Sequence, residues 1–236
     1  MIYKIFPLLA FFLMSFSTNK PNVLNSDLIS GNASSDLEFK ALSVYNNLHA
    51  EGIATMPNID SFTKALKGFY ALKKEGKITK DVLTLIDFSL SSNTKRLWII
   101  DLSTNTILFH SLVAHGKNTG EEFASAFSNV SESFKSSLGF YATGEIYNGK
   151  HGMSLKLDGL EKGINDNARS RAVVIHGADY VSESFIKNHN RLGRSQGCPA
   201  IPVELTSDVI NTIKDKSCIF IYHPSARYKS TSKLLS

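Results

Sequence analysis

The sequence predicts a mainly β fold with peripheral helices, and three observations carry that prediction. Apolar residues alternate with polar ones or cluster through residues 82–90, 96–102 and 107–114, the pattern of strands with a buried face. Between these runs lie Ser91-Ser92-Asn93-Thr94 and Ser103-Thr104-Asn105-Thr106, clusters that favour turns and so an antiparallel meander. Ahead of residue 82 the apolar spacing is helical instead, which places the helices before the strands. A chain of 236 residues, 42% hydrophobic and 20% charged, is long enough for a substantial core.

In chain order, Met1-Ile2-Tyr3-Lys4 supplies one positive charge, and residues 5–16 form an apolar stretch too short to span ~30 Å of hydrocarbon. Residues 1–17 therefore read as a secretory signal peptide with a small-x-small site at Ser15-Phe16-Ser17, an uncleaved anchor being the alternative. Export to the periplasm or cell envelope follows, with no transmembrane span left after cleavage. Residues 18–35, rich in Ser, Asn and Asp, read as a flexible leader. A helical region, 36–80, comes next. Leu37, Ala41, Leu42, Tyr45 and Leu48 share one face of a first helix ending near Glu51-Gly52. Phe62, Ala65, Leu66, Phe69 and Tyr70 mark a second, capped by Asp60 or Ser61 and running toward Gly76.

The main domain is expected over 81–228. After the meander, in which Trp98 and Ile100 predict an apolar face opposite a mixed one, glycine-rich loops are expected from Gly116 to Gly163. Ala172-Val173-Val174-Ile175 then reads as a strand ending at His176-Gly177. Ser182 suits the cap of a short helix over 183–189, Pro202 the start of a helix through Val203, Leu205, Val209, Ile210 and Ile213. A last strand covers 218–223, and a frayed tail 229–236.

The feature that points to a reaction is Arg194-Ser195-Gln196-Gly197-Cys198-Pro199-Ala200, with His176-Gly177 roughly twenty residues upstream. A thiol titrates near pH ~8.5 and becomes a nucleophile when a neighbouring base or positive charge favours the thiolate. His176 has a rigid mount at a strand end, Arg191 and Arg194 supply positive charge, and Gly197 lets a substrate carbonyl come close. The Gly197 and Cys198 N–H groups are candidate donors to a developing oxyanion. His115 and His151 each precede a glycine in a loop and are candidates to line a cleft; His49 and His110 read as ordinary surface residues.

His-Gly, the spacer, then Ser-x-Gly-Cys resembles the active-site signature of the L,D-transpeptidases (YkuD-type domain), in particular the murein L,D-transpeptidase catalytic domain branch. The likeness extends to Ala114-His115-Gly116-Lys117-Asn118-Thr119-Gly120, Ser137-Leu138-Gly139-Phe140-Tyr141, Thr143-Gly144-Glu145, Gly149-Lys150-His151-Gly152 and Leu157-Asp158-Gly159-Leu160-Glu161, and covers roughly 82–224. The resemblance implies a β-sandwich catalytic domain that cross-links peptidoglycan stem peptides through a cysteine acyl-enzyme, without a cofactor, and that carbapenems inhibit. It implies Cys198 as nucleophile, His176 as general acid/base oriented by the backbone at Gly177, Gly197 in the oxyanion hole, and Ser195 as a brace. Two positions depart from the commoner pattern: Gln196 stands where a second histidine is usual and Ala200 where an arginine is. That leaves His176 as the base and makes Arg194 and Arg171 candidates to meet a substrate carboxylate, with His115, His151 and Gln196 as further candidate contacts.

Other readings remain open at this level. A water acceptor would make the same site a carboxypeptidase, and an existing cross-link an endopeptidase. Two cysteines in an exported chain also allow a Cys198–Cys218 disulfide and a non-catalytic envelope-binding module. No histidine or cysteine pair has the spacing of a structural zinc site, so no metal is expected. The net charge of +5 is modest and scattered, which fits an anionic envelope better than nucleic acid.

Overall fold

The computed structural model describes residues 26–50, 52 and 55–235, so the expected signal segment lies outside the described residues. The elements in order are helix α1 (Ser26–Asn46), strand β1 (His49–Ala50), α2 (Ile59–Lys74), β2 (Val82–Asp87), β3 (Leu97–Asp101), β4 (Thr106–Ser111), β5 (Gly139–Gly149), β6 (Gly152–Gly159), β7 (Val174–Gly177), α3 (Glu183–His189), β8 (Ala200–Ile201), a 3₁₀ turn (Val203–Leu205), α4 (Thr206–Ile213), β9 (Cys218–Tyr222) and α5 (Ala226–Thr231).

The strands form one mixed sheet in the order β1-β4-β3-β2-β9-β5-β6-β7-β8. The predicted meander is β2-β3-β4, antiparallel throughout. The last strand, β9, is inserted at the centre of the sheet, parallel to β2 and antiparallel to β5. Its five residues Cys-Ile-Phe-Ile-Tyr are all buried, as expected of a strand covered on both faces. The same holds in β3, where Leu97, Trp98, Ile99 and Ile100 are all buried. The expected split into an apolar and a mixed face is thus not observed; the Trp98 indole, for instance, stacks on His110 and donates to Thr55 O at 2.6 Å.

The sheet does not end in two free edges. The chain running on from β4 pairs with β8, the strand at the opposite end: Ala114 N–H donates to Ala200 O (2.8 Å), and Ala200 N–H to Ala114 O (3.3 Å). The sheet thus closes on itself around its core, and this closure positions the site.

Several local expectations are corrected. The stretch 116–163 is not all loop: β5 and β6 form a long hairpin, with Gly139, Gly149, Gly152 and Gly159 at the strand ends and Gly144 at a register shift between Thr143 and Ile146, as glycine at a bulge would be. The leader expected at 18–35 is helical from Ser26 onward, and α1 stops at Asn46 because the chain adds β1 in parallel to β4. The cap of α2 is Asn58, whose side chain accepts from Asp60 N–H at 2.8 Å. Ser182 caps α3 over the expected residues.

The tail expected to fray from 229 is held. Tyr228 OH donates to Glu161 Oε2 (2.9 Å), the buried Ser232 hydroxyl donates to Glu161 Oε1, and Phe140 N–H donates to the same carboxylate (2.8 Å). Leu234 and Leu235 pack on the core. Among the described residues, no helix is long and apolar enough to cross a membrane.

Candidate active site

The site grows from the pairing of β7 with β8. These strands run parallel, with His176 opposite Ala200 and Gly177 opposite Ile201. Continuing that register two residues back sets Cys198 beside Val174. Cys198 itself stands in the bend ahead of β8, so the parallel pairing brings the loop that carries the thiol to the strand that ends in His176.

The thiol touches backbone at the entry to β7: Cys198 Sγ–H donates to Ala172 O at 3.6 Å. Ala172 holds φ at +53°, a conformation uncommon for a residue with a side chain. Burial pushes the Cys198 thiol above its ordinary value, against the opposing pull of the Val174 N–H and the Arg171 charge. The resting group is a protonated thiol near neutral pH.

His176 is buried. Its Nδ1 lies 3.0 Å from Gly177 O, and a carbonyl only accepts, so the proton sits on Nδ1 and the Nε2 lone pair is left for proton transfer. Burial, and secondarily the charge of His151, hold His176 below its ordinary value, while the Gly177 hydrogen bond acts against them. Over its face stacks the ring of His151, from the turn between β5 and β6, with centroids 4.5 Å apart and planes at 24°.

The loop carrying Cys198 is tied down on each side. Ser195 Oγ–H donates to Cys198 O (2.6 Å), and Ser195 Oγ accepts from Gly197 N–H (3.0 Å). Gly197 N–H is therefore engaged within its own loop, not free as a second oxyanion donor. Ser136 Oγ–H donates to Gly197 O, and Gly116 N–H donates to Ser136 Oγ, both at 3.1 Å. Gly197 has φ +125°, and a β-carbon there would lie 2.9 Å from Lys135 O; one on Gly116 would lie 2.9 Å from Gly197 Cα. Both glycines are needed for this close approach.

A further clamp runs through His115. Ser195 N–H donates to His115 O (3.0 Å), and Lys117 N–H to Ser195 O (2.8 Å). The His115 side chain is buried away from solvent, not lining a cleft as expected. The guanidinium of Arg96, itself fully buried, donates from Nη2 to His115 Nδ1 (2.8 Å) and to Val113 O (3.0 Å). Because arginine can only donate, Nδ1 is the acceptor, and Nε2–H donates to Gly120 O (3.2 Å). Burial first, then the Arg96 charge, pushes His115 down to about 4; burial pushes Arg96 down to about 9.

Of the other expected contacts, Gln196 is exposed beside the thiol's glycine. Arg194 is committed to the 117–121 loop, donating to Glu121 Oε1 (2.6 Å), Lys117 O and Gly120 O, which removes it as a free carboxylate ligand. Arg171 braces the neighbouring loop through Ser128 O (2.8 Å), Ser137 Oγ (2.7 Å) and Lys135 O (2.6 Å), and its charge acts on Cys198. Sequence reasoning missed Tyr180. Its carbonyl accepts from Gly193 N–H (2.9 Å), and its phenol, pushed up to about 12 by burial and by Cys198, stands near the thiol. An aromatic residue four positions beyond the histidine was the available signal.

Both cysteines are free. Cys218 lies on the central strand β9, and Cys198 lies in the loop before β8, with β5, β6 and β7 between the two strands in the sheet order. A disulfide needs Cα atoms within ~7 Å, so the disulfide-locked module is overturned.

Fold and site define a closed β domain with a free thiol in the loop before β8 and a histidine mounted on the neighbouring strand β7. The family model of the L,D-transpeptidase catalytic domain (YkuD_2) matches residues 54–222, and the chain belongs to that family. No curated protein matches the sequence. Similar solved structures include an L,D-transpeptidase from Mycobacterium smegmatis, at 11% identity and TM-score 0.38, with 61% of this chain and 59% of that one covered. Another is an L,D-transpeptidase in complex with imipenem, at 9% identity and TM-score 0.38, with 60% and 59% covered. A third is the helical cell shape determining protein Pgp2 (K307A mutant) from Campylobacter jejuni, at 14% identity and TM-score 0.42, with 73% and 60% covered. The chain thus spans about three fifths of the length of these three, at 59%, 59% and 60%.

Proposed function

We propose that the protein is a cysteine acyltransferase of the cell envelope that cross-links peptidoglycan stem peptides. The observation that carries the reading is the free Cys198 in the loop entering β8, next to the strand that ends in His176, whose Nε2 is left unprotonated by the Nδ1–Gly177 contact. In the first half-reaction the thiol proton passes to His176 Nε2 as sulfur bonds to the carbonyl between an L-centre and a terminal D-residue. The Cys198 N–H faces the oxyanion. The C–N bond then breaks, and His176 returns the proton to the departing amine. In the second half-reaction the amine of another stem gives a proton to His176 and attacks the thioester, forming the new amide and releasing the thiol. The bond broken supplies the energy for the bond formed. Export through the segment 1–17 would bring the enzyme to this substrate.

The test is incubation with a tetrapeptide stem fragment and, separately, with imipenem, for the wild type and Cys198→Ala. Release of the terminal D-amino acid with formation of a dimer, and one imipenem adduct by intact mass, are expected of the wild type and neither of the variant. Release without a dimer would point to water as acceptor. An adduct or dimer that persists in the variant removes Cys198 from the mechanism.

A further inference from the structure

His151 occupies the two-residue turn Lys150-His151 that joins the paired Gly149 and Gly152. A hairpin closed by two glycines needs no ring at this point, and the side chain is exposed. Yet it lies flat against the buried His176, at 4.5 Å between centroids and 24° between planes. The family pattern puts a second histidine beside the nucleophile at position 196; here the side chain there is Gln196, and the second imidazole reaches the site from a different hairpin.

In the proposed reaction His176 becomes an imidazolium when it takes the thiol proton. A cation within about 6 Å of an aromatic face is stabilised by it, whereas a second positive charge in that position opposes it. We propose, on the acyl-transfer reading above, that His151 is a positioning residue for the base: its ring holds His176 and, while uncharged, stabilises the imidazolium that forms during attack. Protonated His151 blocks the same step.

The groups around the pair are consistent with this assignment. Arg171, before β7, and Tyr180, after it, interact with Cys198, and Lys150 stands beside His151 in the turn. The neighbours of His176 across β6 and β8 are Ser154 and Ala200, neither charged. Among these groups, the charge that acts on His176 is that of His151.

The experiment compares wild type, His151→Phe and His151→Ala by the rate of imipenem acylation across about pH 4 to about pH 8, and by NMR titration of the His176 ring. Two histidines that must both be neutral give a log rate falling with a slope near two on the acid limb, and one gives a slope near one. The expected results are a slope near two in the wild type and near one in both variants. His151→Ala is also expected to be slower by roughly two- to thirty-fold, the range of a ring–cation contact. The His176 midpoint should rise in His151→Phe, which keeps a ring and removes the like charge. A slope near two in His151→Phe, an unmoved His176 midpoint, or wild-type rates in His151→Ala overturns the proposal. The titration reads the stack without chemistry, so coupling seen there with no acylation in any protein would refute the acyl-transfer reading and leave the coupling standing.

Discussion

Acid should weaken this protein through His115, by an amount the buried Arg96–His115 contact allows one to work out. His115 accepts from Arg96 through Nδ1, so protonating it would set two donors and two positive charges face to face in a buried site. Its value is pushed from 6.5 down to about 4. Between those limits the unfolded chain takes up a proton that the folded chain refuses, so stability falls as pH falls through that window, and the fall ends once the folded state also protonates. At up to ~1.36 kcal/mol per pH unit inside the window, going from about pH 7 to about pH 4.5 removes about 2.5 kcal/mol. That is a large share of the ~5–15 kcal/mol that stabilises an ordinary domain. The comparison variant is His115→Gln, whose amide can accept from Arg96 and donate to Gly120 O without titrating. Urea unfolding of both proteins near pH ~7 and near pH ~4.5 gives the double difference, in which other titrating groups cancel. The wild type should lose about 2.5 kcal/mol more than the variant. Parallel losses in the two proteins would falsify the assignment of His115 as a neutral acceptor. Because His115 O also holds Ser195 N–H, imipenem acylation should decline over the same window.

Alkylation should separate the two thiols. Burial pushes Cys198 above its ordinary value, so its reaction with iodoacetamide should go on rising about tenfold per pH unit beyond the ~8.5 of a free thiol. Cys218, on the central strand and fully buried, should react at the rate of global unfolding; a plateau for Cys198 near neutral pH would show that the resting site is a thiolate. Gly197→Ala should abolish acylation and lower stability by about 1–3 kcal/mol, since φ is +125° and the new β-carbon would meet Lys135 O at 2.9 Å. Wild-type acylation by that variant, followed by intact mass, would show that the loop can be held without the close approach.

What the sequence made legible was what local chemistry dictates. The meander stands out because β2, β3 and β4 are neighbours in chain and sheet, and α3 because Ser182 is a cap with a free first turn to satisfy. Phe140, Ala142, Leu155 and Leu157 carry a strand pattern that was hidden by the glycines at the ends and bulge of the β5–β6 hairpin; there glycine marks backbone geometry, not loop. Long-range events left weaker traces. That Cys218-Ile219-Phe220-Ile221-Tyr222 would be central, and not simply last, followed from its being apolar on both faces, a signal available but ambiguous in so short a run. Closure of β4 onto β8 left none, because Ala114 and Ala200 are small residues whose partners lie far off in sequence.

The site divides in the same way. Cys198, His176 and Ser195 could be singled out because their chemistry is carried by residue type and spacing. His115 and Arg194 looked alike in sequence to site residues, a histidine before a glycine and an arginine near the cysteine, yet each is occupied in holding the loops around the thiol. Polar side chains near a nucleophile have two uses, meeting substrate and satisfying the backbone that an exposed loop leaves unpaired. Only contacts tell them apart. His151 shows the converse, since its neighbours in sequence form a turn while its ring lies on His176 from another hairpin, so that contact exists only once β6 has paired with β7 and brought Ser154 opposite His176.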